Sequence, residues 1–224
     1  MKFLSATTVA RSIALAAAVL GMGAAAPPPP GPMTAEQWFA KFQTAWDGVN
    51  TYTAKLAAHE ALNGKSQDRV YTLDFQKPTS VRLDITGGDG KGSAAVWQGG
   101  DTVRGHQGGF LSMIKLNLNI HAHLATSIRG TTIAQSYFGA QLDHLKSLKW
   151  KSTDVTVSGD NATITAIPAD PTQDDGIVKE VMTLGANGLP VELIQYDGPD
   201  SLAKDVKYSD VKLNVDLPPS TWQI

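Results

Sequence analysis

The chain of 224 residues contains no cysteine. Disulfides are therefore excluded as braces, thioether lipid attachment is excluded, and the fold must rest on its apolar core. A basic surplus is also missing, since 19 Lys and Arg stand against 21 Asp and Glu. Binding to phosphate backbones needs a cationic excess, so no nucleic-acid partner is expected, and no polybasic segment suits an anionic lipid surface. The apolar run Ile13–Leu20 falls short of the ~20 residues that a permanent spanning helix requires. Catalytic signatures are lacking too. There is no Gly-x-Ser-x-Gly elbow, and in Gly87–Ser93 the lysine is followed by Gly92, which is the wrong order for a phosphate-binding loop.

What is present begins with an export pattern. Lys2 and Arg11 precede the apolar run, small residues follow through Gly21–Ala26, and Pro27–Pro30 come next. Charge, a short apolar stretch and small residues in that order predict a signal peptide over residues 1–26, cleaved near Met22-Gly23-Ala24. Residues 27–33 read as an extended proline-rich leader, and residues 34–224 as a single domain. Loss of Lys2 and Arg11 leaves 17 basic against 21 acidic residues, a net charge of −4. The mature chain of roughly 200 residues is long enough for one sizeable core.

Thr34 followed by Gln37 forms a capping-box pattern, and Trp38, Phe39, Phe42, Trp46 and Val49 recur at helical spacing. From Tyr52 the period becomes two. Tyr52, Ala54 and Leu56 alternate with polar neighbours, Asn63-Gly64 signals a hairpin, and Tyr71, Leu73 and Phe75 share one face. Val81, Leu83 and Ile85 continue after Lys77-Pro78, with Arg82 and Asp84 on the opposite face. A second helical stretch runs from Ile133 to Leu148, and alternating segments then return as far as a short strand at Trp222–Ile224. The count is about ten or eleven strands with two or three helical segments. That order predicts a mostly β, α+β chain whose curved antiparallel sheet is covered on one side by helices.

The candidates for chemistry are sparse. His121-Ala122-His123 has the two-residue spacing of a strand and no identifiable third ligand, so these histidines read as solvated loop residues. Asp174-Asp175 and Asp197 read as solvated turn carboxylates. No set of acid, base and nucleophile can be named; no catalytic residue, metal ligand or cofactor is expected, and the chain reads as a binding protein. The informative residues are apolar: Leu73, Phe75, Val81, Leu83, Ile85 and Trp97 on strands, and Phe110, Leu111, Met113 and Ile114 in a compact segment after Gly108-Gly109. They either fill a core or line a cavity, and periodicity does not separate the two.

Several runs resemble one family. Val49–Thr53, Tyr71–Pro78, Val81–Leu83 and Ala95–Asp101 are similar to the outer-membrane lipoprotein carriers, the LolA-like proteins, as are Asn187–Asp197, Val206–Asn214 and the proline pair before Trp222. Leu116–Leu148, with Arg129 and Ile133, is more similar to divergent lipoprotein-sorting relatives. The resemblance implies an incomplete antiparallel β-barrel of about eleven strands with helices covering the concave face. It also implies a cavity that takes a lipid or lipoprotein acyl chain in the periplasm, received from and released to membrane-bound donor and acceptor partners, by a monomer. The ten apolar residues above would line that cavity, with Gly108–Ile114 as a lid. Carriers hold an arginine before the proline where this chain has Lys77, so a gating role for Lys77 would replace a planar fork with a point charge. The alternative is an envelope sensor or interaction module with the same fold and a filled core.

Overall fold

Thr34 starts the first helix as its sequence pattern predicts. Its side chain accepts from the Gln37 amide while Gln37 Oε1 accepts from the Thr34 amide at 2.8 Å. The computed structural model describes residues 32–224, and the signal-peptide and most of the leader expectations lie outside that range. Helix α1 (Ala35–Asp47) buries Trp38 and Phe42. Six strands follow: β1 (Thr51–Leu62), β2 (Lys65–Gln76), β3 (Ser80–Gly88), β4 (Ala94–Trp97), β5 (Thr102–His106) and β6 (Leu116–Asn119). Helix α2 (Phe138–Ser147) precedes the other five: β7 (Trp150–Ser158), β8 (Asn161–Pro168), β9 (Lys179–Leu184), β10 (Pro190–Tyr196) and β11 (Leu202–Leu213). Met33–Ile224 is one compact unit. Among the described residues, no helix is long and apolar enough to cross a membrane.

The eleven strands make one antiparallel sheet in the order β6-β5-β4-β3-β2-β1-β11-β10-β9-β8-β7. Every hydrogen-bonded neighbour is a neighbour in sequence except the pair β1 and β11. The β1–β2 hairpin turns on Asn63 (φ 52°) and Gly64 (φ 74°), the left-handed pair that a two-residue hairpin demands. Strands β6 and β7 are the two edges and do not pair, so the sheet is an incomplete barrel. They are consecutive in the chain, however, and residues 120–149 must cross from one edge to the other.

That crossing segment anchors on the sheet through aromatic rings. Phe138 stacks on Tyr52 at 4.5 Å between centroids and 7° between planes, and Tyr137 stacks on Phe75 at 4.8 Å. Trp46 of α1 closes the group at 5.1 Å from Phe75. The Phe138 amide donates to the buried Tyr52 hydroxyl at 3.2 Å, satisfying one orphan donor at the start of α2. Burial and the neighbouring tyrosines push the Tyr52 hydroxyl well above its ordinary pKa, so it stays a neutral acceptor and donor.

Two expectations are corrected. The stretch Ile133–Leu148 is not one helix: a 3-10 turn at Ile133–Gln135 carries its own capping box at Thr132, and α2 begins only at Phe138. The break turns the chain so that both Tyr137 and Phe138 reach the sheet. Trp222 ends a 3-10 turn, Pro219–Trp222, in place of a strand, because Pro218-Pro219 supplies no amides for a ladder. Its carbonyls and those nearby receive Arg82 and Arg104 from the outer face.

Gly139 of α2 leaves room for the Trp46 ring of α1, since a Cβ there would lie 2.5 Å from Trp46 Cζ2. Gly139→Ala is expected to lower stability in urea unfolding by about 1–3 kcal/mol, the usual cost of overpacking, despite the higher helix propensity of alanine.

A cavity between the sheet and the crossing segment

The covered face of the sheet is filled at one end and hollow at the other. Along β2 the same face carries Phe75 and Leu73, both fully buried in the core, and then Tyr71 and Arg69, which line a cavity of about 570 Å³. Leu56, Ala58, Leu83, Ile85, Val103 and Val206 supply its apolar floor, and residues 123–136 of the crossing segment supply its roof. A smaller hollow of about 200 Å³ shares Gln107, Leu116 and Leu124 with it and adds Leu111 and Ile114. Combined, the two hollows fall in the ~300–1,000 Å³ range typical of small-molecule sites.

Polar groups stand on the same wall. Glu60 is 5% exposed although it occupies an inward position of β1. Its carboxylate accepts from the Thr131 hydroxyl at 2.9 Å and the Arg129 amide at 3.3 Å, and Lys204 Nζ lies 3.6 Å away. Arg129 in turn donates to Ala61 O at 2.7 Å and to Asp197 Oδ2 at 2.8 Å. The Ile128 amide donates to Gln67. These bonds latch residues 128–131 to β1, β2 and the turn after β10. A hydrogen bond from Ser201 and the Arg129 charge hold the Asp197 carboxyl below its usual range. Gln141 donates to the Tyr208 hydroxyl, whose pKa burial drives far above the ordinary tyrosine range, and the Gln141 Oε1 has no protein partner.

The ten apolar residues singled out from sequence divide into three groups. Leu83 and Ile85 line the main cavity, and Leu111 and Ile114 line the adjoining hollow. Leu73, Phe75, Val81 and Trp97 pack into the core; Trp97 Nε1 also donates to Gly100 O at 2.8 Å. Phe110 and Met113 point outward, 96% and 86% exposed, on a 3-10 turn at Gly109–Met113. Lys77 lines neither hollow. It donates to Trp46 O at 2.9 Å and Asp47 O at 3.2 Å and lies over the Trp46 ring, so it caps the last carbonyls of α1. Any influence of Lys77 on opening would act through that helix. Sequence reasoning missed Glu60, Arg69 and Lys204 because charged residues on alternating strands read as solvent-facing. The available signal was their inward phase, shared with Leu56, Tyr71 and Val206.

Two further carboxylate readings are corrected. Asp197 is the partner of Arg129, as described above. Asp174 is 5% exposed and meets His144 of α2 at 3.3 Å, while Glu180 of β9 meets the same imidazole at 2.7 Å. Burial and the Glu180 charge push the Asp174 carboxyl up to about 7. Burial works to lower the His144 pKa, but the Glu180 hydrogen bond and the two carboxylate charges outweigh it and the net shift is upward. Of the His121-Ala122-His123 pair, both are exposed, and His123 stands on the cavity rim.

No family model matches the chain, and no curated protein sequence does. Solved structures do. An uncharacterized conserved protein from Thermus thermophilus superposes with a TM-score of 0.52 at 9% identity, over 86% of this chain and 94% of that one. A LolA superfamily protein from Nitrosomonas europaea gives 0.45 at 14%, over 86% and 99%. The lipoprotein LppX from Mycobacterium tuberculosis gives 0.44 at 15%, over 82% and 100%. The incomplete antiparallel barrel of this chain is thus the fold of the Thermus thermophilus protein. At these identities the likeness is one of fold alone.

The Arg129 latch and the Lys77 cap are separable. Arg129→Ala is expected to cost about 1–3 kcal/mol, the worth of charge-assisted hydrogen bonds, and to speed amide exchange at residues 126–132. Lys77→Met is expected to leave exchange in that segment unchanged while raising it in the last turn of α1. Hydrogen-exchange mass spectrometry reads both.

Proposed function

We propose that this chain is an exported envelope protein that holds the acyl chain of a lipid or lipoprotein between its sheet and the crossing segment. The observation that carries the reading is the cavity of about 570 Å³, which the protein's own side chains leave open beside a fully packed core. The filled-core sensor alternative lacks that support. Export is supported by the charge and apolar pattern of residues 1–26. On this reading the working unit is residues 34–224 acting as a monomer.

The mechanism is physical and not covalent. Each methylene moved from water into the hollow gains ~0.8 kcal/mol, so partial burial of one chain gives useful affinity. The wall also holds Arg69, Lys91 and Lys204 against one carboxylate, Glu60. That cationic surplus suits an amphiphile with a carboxylate or phosphate head, seated where Lys204 and Arg69 face the hollow. Release requires the roof to lift, which means breaking the bonds that join Glu60, Ala61 and Asp197 to residues 129–131. Phe110 and Met113 then offer an exposed apolar tip beside the smaller hollow, suited to touching a donor or acceptor membrane.

Organic extraction and mass spectrometry of the purified protein are expected to recover an acyl lipid. Leu83→Trp, which narrows the cavity, is expected to reduce binding of a fluorescent fatty-acid probe at least tenfold. Phe110→Asp with Met113→Asp is expected to slow uptake from vesicles but to leave equilibrium probe affinity unchanged. A protein that yields no lipid and binds the probe equally well with and without Leu83→Trp would end the carrier reading.

A further inference from the structure

Glu180 occupies a position that the strand pattern reserves for an apolar residue. It shares the inward face of β9 with Met182 and Leu184, and its side chain is 1% exposed. Asp174, from the turn Pro171–Asp174, lies beside it with 5% of its side chain exposed. Among the described residues, the His144 imidazole is the only cationic group in ion-pair contact with either carboxylate. Glu180 Oε2 and Asp174 Oδ2 are both buried and have no hydrogen-bond partner. Two buried carboxyl groups served by one imidazole and one side-chain amide leave two acceptor oxygens unmatched, which is unfavourable in a low-dielectric interior.

We infer that His144, Asp174 and Glu180 form a binding site for a first-row divalent cation of the zinc type. One ligand atom from each residue lies within 4.8 Å of the other two. A tetrahedral ion with bonds of ~2.0–2.1 Å needs its ligand atoms about 3.3 Å apart, and His144 Nε2 is already 3.3 Å from Asp174 Oδ1. The 2.7 Å pair of His144 with Glu180 has to open by about 0.6 Å to reach that spacing. An imidazole among the donors favours zinc-like ions over calcium or magnesium, which prefer oxygen alone. A divalent charge also balances the two carboxylates.

Supporting groups are in place around the ligands. Gln195 sits directly opposite Glu180 in the β9–β10 ladder and donates Nε2–H to Glu180 Oε1 at 2.6 Å, orienting the carboxylate as outer partners of metal ligands do. His144 is 35% exposed while the two acids are sealed, so an ion reaches the site from the helix side and keeps a position for water there. The three ligands come from α2, the turn after β8 and β9, so an ion would tie the crossing segment to the second half of the sheet. The inference is independent of what the cavity holds.

Zinc chloride titrated calorimetrically into the chelator-treated protein is expected to show one saturable equivalent and to raise the melting temperature. Cobalt(II) is expected to show visible absorption bands of a low-coordinate nitrogen and oxygen site. Glu180→Gln and Asp174→Asn should each abolish the equivalent, Gln195→Ala should weaken it ~10–100-fold, and His121→Ala with His123→Ala should leave it intact. Asp174→Asn lies in a turn and stays informative should Glu180→Gln not fold. Absence of saturable binding, or binding that survives Asp174→Asn and disappears with the His121 and His123 variant, would overturn the site.

Discussion

The edges of the sheet set the terms for everything else. Strands β6 and β7 follow one another in the chain yet lie at opposite ends of the sheet, because β1 pairs with β11 and joins the two halves in the middle. The link between them has no route along the sheet's hydrogen-bonding edge, so it crosses the apolar face. Where it crosses as a helix bearing Phe138, Leu142 and Leu145, it meets α1 and the rings of Tyr52 and Phe75, and the interior packs solid. Where it crosses as irregular chain between Ile120 and Ile133, it meets β1 and β2 through polar bonds at residues 128–131 and roofs a cavity. The hollow is what that difference in filling leaves.

An irregular segment over an apolar surface must place its backbone polar groups somewhere. Glu60 and Gln67 meet this demand by accepting from the amides of Arg129 and Ile128, and the Arg129 guanidinium returns to Ala61 O and Asp197. The latch is made of hydrogen bonds and not of packed methyl groups, and it uses residues other than those of the aromatic anchor. The cost is a buried carboxylate in an apolar wall, offset by Thr131, Lys204 and the amide it accepts from.

The second half of the sheet repeats the device with a different outcome. Glu180 again interrupts an apolar strand face, but here its partners are His144 and Asp174, and two oxygens stay unmatched. Both exceptions stand where a covering element meets the sheet. Buried charge thus sits at the seams of the fold and leaves the aromatic core free of it.

Alternation along the strands and the Thr34–Gln37 cap made the β-rich architecture, the first helix and the inward phase of each strand readable from the chain alone, since these depend on neighbours two to four residues apart. Whether an inward residue fills a core or walls a cavity depends on what lies across from it. Phe75 and Tyr71 share one strand face, yet Trp46 of α1 and Tyr137 cover the first while the second lines the cavity under the crossing segment. For the same reason Asp174 read as a solvated turn residue, and the carbonyls that Lys77 caps were not legible beside it. The partners that give them their roles, His144 with Glu180 and the α1 carbonyls, are remote in sequence, and only tertiary packing brought them together.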